Sequence, residues 1–216
     1  MNFKYLVVEG PIGVGKTELA GRLAEAFQGQ ALLDRPLENP FLPKFYEGQP
    51  GAAFKTQLLF LAQRASLLKD LTRNFPAHSC VVSDFLLEKD KLFACLNLND
   101  EELQVYNHLF DAVSDYLIQP DLVVYLKADV DILAERIRRR DFAAEHRLTV
   151  TYLQNLIEAY EHFFFQYQQR TRVPLLVLES AQIDHGAAGS RVDELVNFLR
   201  SKNVAGLQYY SPAGRG

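Results

Sequence analysis

The segment Gly10-Pro11-Ile12-Gly13-Val14-Gly15-Lys16-Thr17 has the spacing Gly-x-x-x-x-Gly-Lys-Thr, and it constrains the fold more than any other part of the chain. Glycines let backbone N–H groups turn inward around phosphate oxygens, and the N-terminus of a following helix adds partial positive charge. Such a loop works only between a strand and a helix. Both are legible: Tyr5 to Glu9 reads as a buried strand, and Leu19, Leu23, Ala26 and Phe27 recur at helical spacing. Gly10, Pro11, Ile12, Gly13, Val14 and Gly15 therefore form a phosphate cradle. Lys16 is expected to reach the outer phosphates and Thr17 to ligate Mg²⁺.

A chain of 216 residues with 48% apolar composition is long enough for one well-buried domain, and no composition shift divides it. A single α/β domain over residues 1–203 is expected, with residues 204–216 as a flexible tail where Gly, Ser and Pro replace the periodic pattern. The net charge of −4 argues against a nucleic-acid surface, which needs a basic face. No apolar run approaches the ~20 residues of a membrane span, and the first strand starts too close to Met1 for a leader, so a cytoplasmic location is expected. Cys80 and Cys95 lie in or beside apolar stretches and read as buried or free thiols. The five histidines have no metal-ligand spacing.

Further strands are expected at Gln30 to Asp34, Ser79 to Asp84, Asp121 to Leu126 and Val173 to Leu178, which makes a five-stranded parallel sheet flanked by helices. Helices fill the intervals: Ala52 to Asn74, closed by Pro76; Glu88 to Leu96; one from Asn99 to about Ile118; one after Asp129; Thr149 to Arg170; and Val192 to Leu199. Ligands of parallel sheets bind beyond the carboxyl ends of the strands, so Asp34 and Asp84, each closing a strand, belong on the rim of the phosphate loop. Asp34 is a candidate proton acceptor or a turn cap ahead of Pro36, and Asp84 a candidate Mg²⁺ ligand or proton acceptor. Gln57 and Arg64, two helical turns apart, share a face that could bond the edge of a planar base or simply meet solvent. Arg136, Arg138, Arg139 and Arg140 crowd one helix end, either as a solvated C-terminus or as a lid over a transferring phosphate. The run Phe163-Phe164-Phe165 exceeds one apolar face, which allows contact with the core alone or also with a second subunit.

From about Tyr5 to Tyr167 the chain resembles the deoxyribonucleoside kinases, relatives of deoxycytidine, deoxyguanosine and deoxyadenosine kinases. The resemblance rests on Glu9 to Thr17, Glu38-Asn39-Pro40-Phe41-Leu42-Pro43-Lys44-Phe45-Tyr46, the Gln57 to Arg64 spacing, and Pro120 to Leu126. It implies a P-loop kinase fold with an arginine-bearing lid, a homodimer, and ATP-dependent phosphorylation of a deoxyribonucleoside 5′-hydroxyl. It also implies that Gln57 pairs with the nucleobase beside Arg64 and Asp90, and that Tyr46 and Glu145 hold the sugar 3′-hydroxyl. In the same pattern Asp34 is the general base, Asp84 the acid after the third strand, and Arg136 and Arg140 lid arginines on the ATP phosphates. Three positions depart from the pattern: Asp34 stands for the usual Glu, Phe85-Leu86 for Arg-Ser, and Phe142 for a second lid arginine. A nucleoside monophosphate kinase of the thymidylate kinase type, or a nucleotide-binding regulatory protein, shares the loop and remains open at this point.

Overall fold

The computed structural model describes residues 3–75, 79–114, 118–183, 190–201 and 204–212. Strand β1, Tyr5–Glu9, is buried along its whole length, as a strand covered on both faces must be. It runs into the phosphate loop and helix α1, Lys16–Ala26, whose Leu19, Ala20, Leu23 and Ala24 face the core. The chain then forms β2 (Gln30–Leu32), α2 (Leu42–Tyr46), α3 (Ala52–Arg73), β3 (Val81–Ser83), α4 (Lys89–Asn97) and α5 (Asp100–Ser114). It continues through β4 (Leu122–Lys127), α6 (Val130–Arg139), α7 (Val150–Thr171), β5 (Leu175–Glu179), α8 (Ser190–Ser201) and β6 (Leu207–Tyr210).

The sheet is parallel throughout, in the order β2-β3-β1-β4-β5-β6. β1 lies between β3 and β4, where the chain reverses its direction of travel across the sheet. Such a switch point opens a crevice beyond the strand ends, and the phosphate loop occupies it. Successive side chains of each strand point to opposite faces, so the core splits in two. Leu6, Val8, Val124 and Leu126 pack with Leu19, Leu133 and Leu195 on one side. Tyr5, Val7, Val123 and Tyr125 pack with Leu61, Tyr106 and Tyr160 on the other.

Two expectations need correction. Among the described residues the sheet has six strands, not five, because Leu207–Tyr210 pairs in register with β5 through Leu175↔Leu207 and Leu178↔Tyr210. These residues fall in the stretch expected to be a flexible tail. An edge strand has one neighbour and one half-covered face, so it carries little apolar periodicity, and Tyr209 is 75% exposed. Residues 213–216 of that tail, Pro76 and residues 115–117 lie outside the described residues. The phenylalanine run divides: Phe164 is buried with its ring 4.4 Å from that of Tyr125, Phe163 packs on Tyr167, and Phe165 is exposed. Cys80 is buried, Cys95 exposed, and both are free. Among the described residues no helix is long and apolar enough to cross a membrane.

Candidate active site

The phosphate loop turns on glycines with positive φ, at 155° for Gly10, 85° for Gly13 and 103° for Gly15. Gly10 has a second reason to lack a side chain, since a Cβ there would lie 2.4 Å from the carbonyl oxygen of Leu126 on β4. Gly10, Pro11 and Val14 are buried and form the back of the loop, while Ile12, Gly13, Gly15, Lys16 and Thr17 line a cleft beyond the sheet. The Lys16 ammonium folds over the loop and donates to the carbonyls of Gly10 at 2.7 Å and Pro11 at 3.1 Å. Burial, reinforced by the nearby Lys89 charge, pushes it down to about 8.

Asp84 follows β3 and ties the start of α1 to the chain just beyond β2. Its Oδ2 accepts from Thr17 Oγ1 at 2.5 Å and its Oδ1 from the Asp34 backbone N–H at 2.6 Å. The Thr17 hydroxyl beside a carboxylate is a hard oxygen pair of the kind Mg²⁺ takes, a cation that usually completes its shell with water and substrate phosphates. Among the described residues no three acidic, histidine or cysteine side chains cluster for a metal, so a cation here would depend on those phosphates.

Asp34 lies just beyond β2, and its side chain meets α3. Arg64 donates to Asp34 Oδ2 from both Nε and Nη2, and from Nη1 to Asp90 Oδ1 on α4, with its guanidinium 4.6 Å from the Phe60 ring centre. One arginine thus joins two carboxylates from separate elements, and all three groups are largely buried. Burial alone would raise the Asp34 carboxyl, but Arg64, with Lys89 and Lys16, more than reverses this and holds it down to about 2. For Asp90, wholly enclosed, burial prevails over Arg64 and Lys89 and pushes it up to about 6.

The two carboxyls make opposite contributions to stability. The folded chain holds the Asp90 proton more tightly than the unfolded chain, whose carboxylate titrates near its ordinary value of about 4. This group's contribution therefore falls as pH rises from about 4 through 6. Asp34 contributes stability above its unfolded value that is lost as pH falls through about 2. Thermal unfolding of Asp90→Asn between roughly pH 4 and 7 should show a flatter profile than the parent; an unchanged slope would contradict the assignment.

Gln57 lies one α3 face along from Arg64 and is 3% exposed. Its Oε1, like Asp90 Oδ2 and Thr56 Oγ1, is buried without a hydrogen-bond partner. Orphaned buried acceptors are costly, and of these residues Thr56 and Gln57 line the cleft, where a polar ligand edge would relieve that cost. Across the cleft, α2 brings Tyr46 and the 3₁₀ turn Ala143–Arg147 brings Glu145, which accepts from Arg140 Nη1 at 3.4 Å. Burial, and then the Glu145 charge, raises the Tyr46 phenol. Phe142 packs edge-on against Tyr46 with ring centres 6.2 Å apart, and Phe85 is fully buried in the core.

Twelve of the residues singled out from the sequence line this one cleft: Ile12, Gly13, Gly15, Lys16, Thr17, Asp34, Tyr46, Gln57, Arg64, Asp84, Arg140 and Glu145. Asp90 stands behind Arg64. Arg136 does not line the cleft; its Nη1 donates to the Val14 carbonyl at 2.9 Å and to Ser180 Oγ at 3.0 Å, supporting the loop from behind. Helix α4, read from sequence mostly as scaffold, carries Lys89 and Phe93 into the lining, and α7 adds Tyr152 and Tyr160. The one available signal for Lys89 was a lysine closely following the uninterrupted apolar run Phe85-Leu86-Leu87.

A family model described as deoxynucleoside kinase matches residues 6–201. The deoxyguanosine kinase of Bacillus subtilis is 31% identical over 166 residues, covering 76% of this chain and 80% of that protein. The deoxyadenosine kinase of Lactobacillus acidophilus is 26% identical and covers 92% of each chain. Among solved structures, deoxyadenosine kinase from M. mycoides with products dCMP and a flexible dCDP bound superposes with a TM-score of 0.77 at 22% identity. It covers 91% of this chain and 98% of that one, which shows a shared fold.

Proposed function

The chain belongs to the deoxynucleoside kinase family, and from that premise we propose that it transfers the γ-phosphoryl group of ATP to the 5′-hydroxyl of a deoxyribonucleoside. One observation carries the reading to the acceptor: a single cleft runs from Lys16 past Asp34 to Gln57 and Arg64, where a buried amide oxygen lacks a partner. A nucleoside is long enough to bring its hydroxyl to the phosphate end while its base meets that polar corner.

In this reading the loop from Gly10 to Gly15, with Lys16 and Arg140, binds the nucleotide, while Arg136 braces the loop from behind through the Val14 carbonyl. Gln57, Arg64 and Asp90 recognise the base, and Tyr46 and Glu145 hold the 3′-hydroxyl. Thr17 and Asp84 would hold Mg²⁺, whose chemistry there is to neutralise phosphate charge. The acceptor oxygen bonds to the γ-phosphorus as the bond from that phosphorus to its bridging oxygen breaks. The bond's electron pair leaves with ADP, and the hydroxyl proton passes to Asp34. The proposal includes a cytoplasmic homodimer, in keeping with the family resemblance and the exposed Phe165 on α7. Nucleic acid and membrane have no part in it.

The monophosphate kinase and regulatory readings find no support in the family model or the relatives. The deciding experiment offers ATP and Mg²⁺ with a panel of nucleosides and nucleoside monophosphates. Conversion of deoxyribonucleosides to 5′-monophosphates is expected; turnover confined to monophosphates would reject the reading, and so would tight ATP binding with no acceptor consumed.

A further inference from the structure

Glu9 closes β1 with no exposure to solvent, and both of its oxygens are already served. Oε1 accepts from the Gly10 backbone at 2.8 Å and from the Tyr160 hydroxyl at 3.1 Å; Oε2 accepts from the Leu86 backbone at 2.9 Å. Lys89, the first residue of α4, is 3% exposed and lies 3.2 Å from the same Oε2. Among the described residues its ammonium has no other ionic partner and donates no hydrogen bond. It also lines the cleft together with Lys16, Asp34 and Asp84.

The other cations of the cleft are committed elsewhere. Arg64 is divided between Asp34 and Asp90, Arg140 faces Glu145, and Lys16 is bonded to loop carbonyls. Where Phe85 fills the core directly after β3, Lys89 one turn later is the buried positive charge with donors to spare. Its field reaches both ends of the reaction, since it lowers the Lys16 ammonium and the Asp34 carboxyl alike. Phosphoryl transfer spreads charge over three equatorial oxygens, and a preorganised donor aimed there from a dry wall is the strongest device available to a protein.

We propose that Lys89 is a catalytic residue that donates to the oxygens of the phosphoryl group in flight, with Glu9 holding its ammonium in place. The inference rests on the kinase reading above. In Lys89→Met, kcat is expected to fall about 10²-fold, with KM for ATP and nucleoside changed no more than about threefold.

A binding readout separates this role from a structural one. Calorimetry is made with ADP, Mg²⁺ and aluminium fluoride, a mimic of the group in flight, plus deoxyguanosine or deoxyadenosine, whichever the parent phosphorylates. The variant should lose about 10²-fold in affinity for the mimic complex and keep its affinity for ADP. Should Lys89→Met fail to fold, because it orphans Glu9, the double variant Glu9→Gln/Lys89→Met removes both charges. It is expected to be as weak toward the mimic as the single variant, whereas recovery to the level of Glu9→Gln alone would show that Lys89 merely neutralises Glu9 and overturn the proposal. Unchanged mimic affinity in Lys89→Met overturns it as well. A parent chain that phosphorylates no deoxyribonucleoside overturns both this inference and the kinase reading; an active parent with an equally active variant overturns this inference alone.

Discussion

Asp34→Asn is expected to lower kcat by about 10²–10⁴-fold while leaving ATP affinity within about twofold of the parent. The carboxylate stands at the phosphate end of the cleft, its backbone N–H bonded to Asp84 and its Oδ2 to Arg64. Held down to about 2, it is ionised around neutrality, so its own titration sets no limb of the pH–rate profile there. In the proposed reaction so weak a base would take the proton late, as the acceptor oxygen loses its affinity for it on bonding to phosphorus. This suits a loose transition state in which positioning matters more than deprotonation. The amide keeps the shape and an acceptor for Arg64 but has no charge to receive the proton. Steady-state kinetics and ATP titration check this; a kcat within a few-fold of the parent would remove Asp34 from the role of base.

Arg64→Met is expected to cost about 3–5 kcal/mol of stability, because it leaves the Asp34 and Asp90 carboxyls facing each other without their shared cation. For a chain of this size that is a fall on the order of 10 °C in Tm. The aliphatic part of Met still packs against Phe60, so the loss reports on charge more than volume. Adding Asp90→Asn to Arg64→Met should restore part of the loss, a coupling that a thermodynamic cycle measures directly. Nucleoside binding should weaken in both variants while ATP binding persists. A Tm unchanged in Arg64→Met would mean that the three-group cluster contributes nothing to the folded state.

Several residues show how far sequence periodicity reaches. The Asp34, Gln57, Arg64 and Asp84 positions were legible because each sits at a strand end or on a helix face, and the parallel sheet sends all such points to one rim. Arg136 was legible as a cation near the loop, but not that it grips the back of the loop through the Val14 carbonyl. Lys89 was hidden because a lysine opening a helix looks like any solvated N-terminal residue. Its burial depends on Glu9, eighty positions away in sequence. β6 was hidden for a related reason: a short edge strand with one exposed face lacks alternation, and it becomes a strand only because β5 offers an unpaired edge.

The phosphate loop is legible without any tertiary information, since its conformation is written in eight contiguous residues whose glycines permit the positive φ values and whose flanking strand and helix are local patterns. The parallel α/β class was legible too, through apolar runs alternating with helical periods, as were, with the family resemblance, most of the residues that line the cleft. How charges pair across the cleft depends on the folded arrangement: Arg64 between Asp34 and Asp90, Asp84 between Thr17 and the chain just beyond β2, and Lys89 beside Glu9. The physical reason is one of range. Backbone conformation follows from neighbours along the chain, whereas the protonation and strength of a buried charge follow from neighbours in space, which the sheet order alone brings together.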